Sequence, residues 1–410
     1  MLEKYLDFDL ALSQSLQTAV ALNLKEIIGL DKALTRVLSS DIVCVKNLPS
    51  FNNSAMDGFA IKAVDAGKEL DVVKTIFAGE NHEASLVKNQ CYKIMTGAKV
   101  PSDVDTIIPI ENVESYENDK VKINLDVKEG SNFRKKGEEK AVGSILFSKG
   151  QEINSSIVAV LASQGITMLE VYKKLSVAVL STGDELKEPW QNAQEDEIYN
   201  CNSYGLISLL NEKGFDSTYI GVVPDNLEKS VKFINELKKY DVIITTGGIS
   251  MGDADFVGEA FKQNNLKTIF HGVNIKPGKP IMMGKMDDSF VICLPGNPLT
   301  AMVNMHLFVI PVLRKIQGHE NFYHNVEIAK NTKEFKTKKG RANIVLGTCE
   351  KGGFEVTQEN KYGSGMTTVL CQSNSIVVTN NERSLTKEEC SIKVISFNCS
   401  YTNKIVDLTN

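Results

Sequence analysis

From residue 175 to residue 316 the chain alternates strand-like and helix-like runs, and this alternation limits the possible folds more than any other feature. LSVAVLSTGDEL opens it at 175–186. Apolar, β-branched runs predict strands at 176–180, 217–222, 241–246, 280–284 and 290–294, and helical spacings predict helices near 203–213, 226–238, 254–263 and 298–316. Strands that alternate with helices of about 10–15 residues predict a doubly wound α/β sheet. In such a sheet ligands bind outside the carboxyl ends of the strands.

The loops at those ends carry the candidate chemistry. TTGGISMGDAD, residues 245–255, follows the apolar run Asp241–Ile244. Gly247 and Gly248 have no side chain to hold a ligand off, so backbone N–H groups can face an anion, and Ser250 joins them as a substrate-binding candidate. Asp253 and Asp255 offer hard oxygens to a divalent cation. The same letters also spell a glycine turn whose aspartates cap a helix. STGDEL places Glu185 after the first strand, where Thr182-x-x-Glu185 reads equally as a capping box. VVPDN places Asp225 where it can cap the next helix. ICLPGNPLTAM sets Pro295 before Gly296, with Asn297 as the expected N-cap and Pro298 at the first helical position. In IKPGKP, Lys276 and Lys279 flank Pro277-Gly278, a compact cation site for phosphate or another oxyanion.

The flanking regions read differently. Residues 7–38 carry Leu, Ile, Ala and Val at mixed three and four spacings, which predicts helix. LPSFNNSAMDGFAI, 48–61, is a polar turn between apolar segments, with Asp57 positioned either as plain loop or as a ligand contact. Short alternating runs from about 60 to 140 predict a small β domain. Within it Thr96-Gly97-Ala98 offers a hydroxyl and a backbone N–H, and FRKKGEEK, 133–140, gathers Arg134, Lys135 and Lys136 beside Glu138 and Glu139. Residues 151–173 predict a helix and then a strand, and alternating runs return after 325. The expected domains are a helical and linker domain at 1–47 with 141–174, a small β domain at 48–140, an α/β domain at 175–320 and a C-terminal β domain at 325–410. With 410 residues, several cores are expected.

Composition removes other classes. A net charge of −5 argues against general binding to nucleic acid or membrane surfaces. The eight cysteines are scattered without C-x-x-C, as in reduced, buried thiols. PLTAMVNMHLFVIPVL, 298–313, is too short for a span and is interrupted by Asn304, His306 and Pro311, so it predicts a buried helix with His306 as a core histidine. The acidic N-terminal stretch does not match a signal peptide, and a cytoplasmic location is expected.

LPSFNNSAMDGFAI, IMTGAKVPSDVDTIIPIE, VLSTGDEL, TTGGISMGDAD, KPGKP and LPGNPLTA, in this order, resemble the molybdopterin molybdenumtransferase family of molybdenum cofactor synthesis, which is similar to the C-terminal domain of gephyrin. GSGMTT, 363–368, echoes the same family. The resemblance implies magnesium-dependent insertion of molybdate into adenylylated molybdopterin with release of AMP. It implies catalytic roles for Asp57, Thr96, Glu185, Lys276 and Lys279, and substrate contacts at Gly247, Gly248, Ser250, Pro295, Pro298, Arg134, Glu139 and Ser364. Magnesium would fall to Asp225, Asp255 and Glu185. A homodimer, with a cleft built from two subunits, and handover contacts with other proteins of cofactor synthesis are implied as well. The chain departs from the family at Gly272, where members often carry a lysine, and at Glu139, where an aspartate is usual. Two rival functions fit parts of the pattern: molybdopterin adenylyltransferase, and a non-catalytic gephyrin-like scaffold.

Overall fold

A computed structural model describes residues 5–124, 126–183, 185–224, 226–248, 256–398 and 401–410. The chain divides into two compact units, one made of the residues up to Ser40 with Lys149–Val158 and Thr167–Asn410, the other of Asp41–Ser148 with Ala159–Ile166.

The larger unit contains the predicted sheet. Its elements are β1 (Val177–Ser181), α1 (Cys201–Glu212), β2 (Ser217–Val222), α2 (Leu227–Glu236), β3 (Val242–Thr246), α3 (Phe256–Gln263), β4 (Lys267–His271), β5 (Met282–Met286) and β6 (Ser289–Leu294). The strand order is β2-β1-β3-β6-β5-β4, with β2, β1, β3 and β6 parallel and β5 antiparallel to both its neighbours. Every residue of β1, β3 and β6 is buried. A strand buried on both faces reads as an unbroken apolar run, which is why these strands were visible in the sequence. The two faces divide the residues by alternation: Val177 and Val179 pack with Leu206, Leu209 and Leu210 of α1, whereas Ala178 and Leu180 pack with Ile234 of α2 and Val257 and Phe261 of α3.

The apolar segment after β6 forms α4 (Pro298–Asn304), a π-helical turn (Met305–Val309) and α5 (Ile310–Ile316). Only this helix, among the described residues, is long and apolar enough to cross a membrane, and it is 89% buried inside the fold. Pro311 cannot donate to the carbonyl of Leu307. His324 Nε2 instead lies 3.4 Å from that oxygen. His306 is buried as expected, stacked on Phe397 with ring centroids 4.6 Å apart, and burial holds its pKa down at about 3.

Beyond α5, strand Ala342–Glu350 pairs with Gly353–Val356 and with Ser375–Thr379, and Glu327–Asn331 and Ser391–Ser396 complete a closed β ring. Ile275–Lys276 adds to this ring beside Ala342 and Asn343.

One predicted element is overturned. α-Helix covers only Phe8–Thr18 of the expected 7–38, with a single 3-10 turn at Leu30–Lys32, and Lys25–Gly29 is a strand paired antiparallel with Met168–Tyr172. Ile28 is 9% exposed and its neighbour Ile27 69%, the alternation of a strand with one buried side. The long-range partner decides the conformation there over the local spacing.

The smaller unit is a sheet in the order Thr106–Pro109, Gly58–Ile61, Gln90–Ile94, Glu69–Ile76, Lys120–Lys122, Ser115–Glu117. Phe59 and Ile61 face one apolar cluster and Ala60 the other.

Candidate functional site

The four parallel strands end at one edge of the sheet, and the loops that leave them converge on a cavity of about 570 Å³. Thr182, Gly183 and Glu185 follow β1, Val223 and Pro224 follow β2, Gly247 and Gly248 follow β3, and Gly296, Asn297 and Pro298 follow β6; all line the cavity. Asn200, Cys201 and Asn202 from the start of α1 complete one wall.

The glycine pair is fixed by its neighbours. Gly247 and Gly248 have φ of +81° and +64°, where side chains are strained. A Cβ on Gly247 would stand 2.6 Å from Thr182 Oγ1, and one on Gly248 2.8 Å from the same atom. Thr182 is held against this loop because its N–H and its hydroxyl both donate to Thr246 O, at 3.1 Å each. Thr182 therefore shapes the cavity floor, a role that its sequence position did not reveal.

The capping-box reading of Thr182 and Glu185 fails, since no helix follows. Leu186–Lys187 is instead a short strand beside Ile198–Tyr199, and Ile198 N–H donates to Glu185 O at 2.9 Å. The Glu185 carboxylate lies back over Gly183, where a Cβ would come within 2.5 Å of Oε2. Asn297 is the N-cap residue and Pro298 opens the helix, as predicted. The Asn297 side chain makes no cap bond, however, and its Nδ2 donates to Ser364 Oγ at 3.0 Å, which brings the GSGMTT loop to the cavity rim. Asn202 Nδ2 donates to Gly296 O at 2.7 Å and ties α1 to the same loop.

The lysine turn leaves the same edge of the sheet. β5 starts at Met282 opposite Cys293, one residue before β6 ends, so the connection from His271 to Met282 emerges beside the other loops. Asn304, fully buried in α4, donates from Nδ2 to Gly278 O at 3.1 Å and supports the turn from beneath. Lys276, Lys279, Pro295 and Ser364 are not among the described residues that line the cavity. Lys276 and Lys279 are exposed at its edge of the sheet, and Pro295 is buried behind the loop.

A second cluster forms within the smaller unit. Asp57 is exposed, and its Oδ1 accepts from Thr96 N–H at 2.6 Å and from Thr96 Oγ1 at 2.8 Å. The backbone donor, then the hydroxyl, holds the Asp57 carboxyl below its ordinary range. Gly97, at φ +78°, lets the chain turn back so that its N–H reaches Ser54 O at 2.8 Å. Gly58 has no room for a side chain, because a Cβ would run into the Ile108 carbonyl. Arg134 pairs with Asn53, Lys136 N–H donates to Asn52 Oδ1 at 2.8 Å, and Glu139 N–H donates to Leu48 O at 2.9 Å. The MDG, TGA and FRKKGEE segments are thus gathered on one side of this unit, with Arg134 and Glu139 exposed.

Ser250, Asp225, Asp253 and Asp255 lie outside the described residues. No group of three or more metal-ligating side chains occurs among the described residues. Glu185 offers one carboxylate to the cavity, which Pro224 and Phe256 also line. A carboxylate is a suitable ligand for a hard divalent cation, and one alone does not make a cation site.

Comparison with known proteins gives concordant matches. Residues 6–165 match the family described as MoeA N-terminal region (domain I and II), and residues 178–315 match the probable molybdopterin binding domain. The chain is 32% identical to a molybdopterin molybdenumtransferase of Haemophilus influenzae over 402 residues, covering 96% of this chain and 99% of that protein. A molybdopterin molybdenumtransferase of Staphylococcus epidermidis is 32% identical over 361 residues, 86% of each chain. Among solved structures, the molybdopterin biosynthesis moeA protein of Pyrococcus horikoshii superimposes with a TM-score of 0.84 at 26% identity, covering 96% of this chain and all of that one.

Proposed function

As a member of the molybdopterin molybdenumtransferase family this chain is a transferase of molybdenum cofactor biosynthesis, and we propose that it inserts molybdate into adenylylated molybdopterin with release of AMP in a magnesium-dependent reaction. The observation that carries this reading is the convergence of four strand-end loops on one cavity that holds Gly247, Gly248 and Glu185. That cavity suits a phosphorylated ligand, since oriented backbone N–H groups bind phosphate without a side chain between.

In this reading Lys276 and Lys279, exposed at the cavity's edge of the sheet, hold the oxyanion through their positive charges. Ser364 and Asn297 fix the rim, with Pro295 and Pro298 stiffening the loop between strand and helix. Asp57, held ionised by Thr96, meets the substrate as an acceptor, and Arg134 and Glu139 contact it beside the same segment. Magnesium would be held by Glu185 with Asp225 and Asp255, and when bound it would supply positive charge to offset that of a departing phosphate. A fixed charge at that place acts most strongly in the transition state, where the leaving phosphate gains negative charge.

The match over 6–165 supports the insertion step over adenylylation, because the region that bears Asp57 and Thr96 belongs to it. Retained acids and lysines at the reacting positions weigh against a purely structural scaffold. The deciding assay is AMP release from adenylylated molybdopterin with and without molybdate. Release that ignores molybdate, or no release at all with magnesium present, would overturn the proposal. A homodimer is part of the same reading. Light scattering tests it, and mixing Asp57→Ala with Lys276→Ala subunits tests whether the two residues act in one chain or across two.

A further inference from the structure

The segment before the first helix is built into the lysine turn. Leu6 N–H donates to Gly272 O at 3.2 Å and Asn274 N–H donates to Leu6 O at 2.7 Å, so the chain at Leu6 runs parallel to Val273 as an added rung. This pairing lays the Tyr5 ring on Gly272. A Cβ at Gly272 would fall against Tyr5 Cδ1 and Cε1, and its φ of +91° is itself hostile to a side chain. Lys279 Nζ stands 3.7 Å from the centre of the same ring. The backbone holds the pair together, because Val273 N–H donates to Lys279 O at 2.9 Å and Gly272 N–H donates to Ile281 O at 2.8 Å.

We propose that Tyr5 is a positioning residue of the oxyanion subsite: its ring holds the Lys279 ammonium in place and fills the space that any side chain at 272 would need. The proposal rests on the reading of Lys276 and Lys279 as that subsite. The physical case lies in the kind of partner. A carboxylate beside Lys279 would restrain it but would also cancel the charge an incoming dianion needs. An aromatic face attracts the ammonium through its quadrupole and leaves the full positive charge available. A lysine left alone in water samples many rotamers, and ordering it would have to be met by the anion on binding. Tyr5 removes part of that cost beforehand. Tyr5 thus places the Lys279 cation, and Tyr5 and a side chain at position 272 exclude each other.

The test uses the full chain, with AMP release measured against molybdate concentration at saturating adenylylated molybdopterin. Tyr5→Leu keeps apolar bulk but loses the ring face, and it should raise the KM for molybdate roughly three- to tenfold, with a smaller effect on kcat. Tyr5→Phe keeps the face and should recover the wild-type KM to within about twofold. In a Lys279→Ala background, Tyr5→Leu should add nothing, since the partner through which it acts is gone. Equal losses in the Leu and Phe variants, or the same loss with and without Lys279, would overturn the role of Tyr5. A normal loss in Lys279→Ala with no change in Tyr5→Leu overturns it while leaving the subsite standing, whereas an unaffected Lys279→Ala sinks the subsite and Tyr5 with it. Should Tyr5→Leu fail to fold, Tyr5→Met makes the same comparison.

Discussion

Thr96 gives both of its donors to one oxygen of Asp57, the backbone N–H at 2.6 Å and the hydroxyl at 2.8 Å. Two donors on one carboxylate oxygen favour the ionised form, so Asp57 stays charged to lower pH than an ordinary aspartate. Because its folded pKa is depressed, the stability it contributes is present above the ordinary carboxylate range and is lost as pH falls through the lowered value.

Thr96→Val removes the hydroxyl and keeps the backbone N–H. The backbone bond is the larger cause of the shift, so the Asp57 pKa should rise toward its ordinary value without reaching it. A carbon-detected NMR titration of the Asp57 carboxyl measures this directly. A complete return to the ordinary value would show the hydroxyl to be the dominant donor.

Gly247 and Gly296 face each other at the cavity, and they should respond differently to a methyl group. At Gly247 the φ of +81° and the 2.6 Å approach to Thr182 Oγ1 act together. Gly247→Ala should lose about 1–3 kcal/mol of stability in urea unfolding. Adding Thr182→Ala should restore only part, because the Thr182 carbonyl oxygen also lies 3.0 Å from the new methyl and the φ is unchanged. A Cβ on Gly296 meets Gly247 Cα at an ordinary 3.6 Å, so Gly296→Ala should cost no more than about 0.5 kcal/mol. Equal losses at the two glycines would refute this account.

The sequence disclosed most where burial leaves a periodic trace. β1, β3 and β6 are covered on both faces, and their apolar runs and the glycine-marked loops after them were readable without a structure. β4, KTIFH, was missed because it sits at the sheet edge with a single buried residue, Phe270, and so carries no clear pattern. Local spacing predicts helix at Lys25–Gly29, whereas the strand there is set by a partner at Met168–Tyr172, far along the chain. The same distance hid the contact of Tyr5 with Gly272 and Lys279. Glycine at 272 signalled a departure, and only packing shows what fills its place. Motif spacing likewise found Asn297 as a cap position but could not show that its amide turns to Ser364.

Glu152 gives a pH test away from the cavity. Burial opposes its charge, yet hydrogen bonds from His319 and Arg314 and the Arg314 charge more than offset this and hold the carboxyl at about 2. Arg314 Nη2 lies 3.0 Å and His319 Nε2 3.3 Å from Glu152 Oε2. The folded pKa is depressed from 4.5, so this stability is present above pH 4.5 and is lost as pH falls toward about 2. With the carboxylate partly exposed, solvent screening reduces the effect to roughly 1–2 kcal/mol. Urea unfolding of Glu152→Gln from pH 5 to pH 2 should therefore show a flatter slope than the unaltered chain. An unchanged slope would remove Glu152 from the acid response.

Glu185, Asp225 and Asp255 can be separated into metal ligands and structural residues by one pair of measurements. Glu185 lies at the cavity on a loop that starts no helix, so Glu185→Gln removes charge without removing a cap. Asn226, not the expected Asp225, is the N-cap of α2, its Oδ1 accepting from Lys229 N–H at 3.1 Å, whereas Asp255 directly precedes α3 in the sequence, and asparagine caps helices as well as aspartate does. If all three serve magnesium, each of Glu185→Gln, Asp225→Asn and Asp255→Asn should raise the magnesium concentration for half-maximal AMP release about tenfold or more, with little change in Tm. Amide oxygens remain in place in these variants, so the loss reads the missing charge and not missing bulk. A lower Tm with a normal magnesium requirement would instead assign that residue to a structural role, which for Asp255 is capping, and a normal requirement in all three variants would place the magnesium elsewhere.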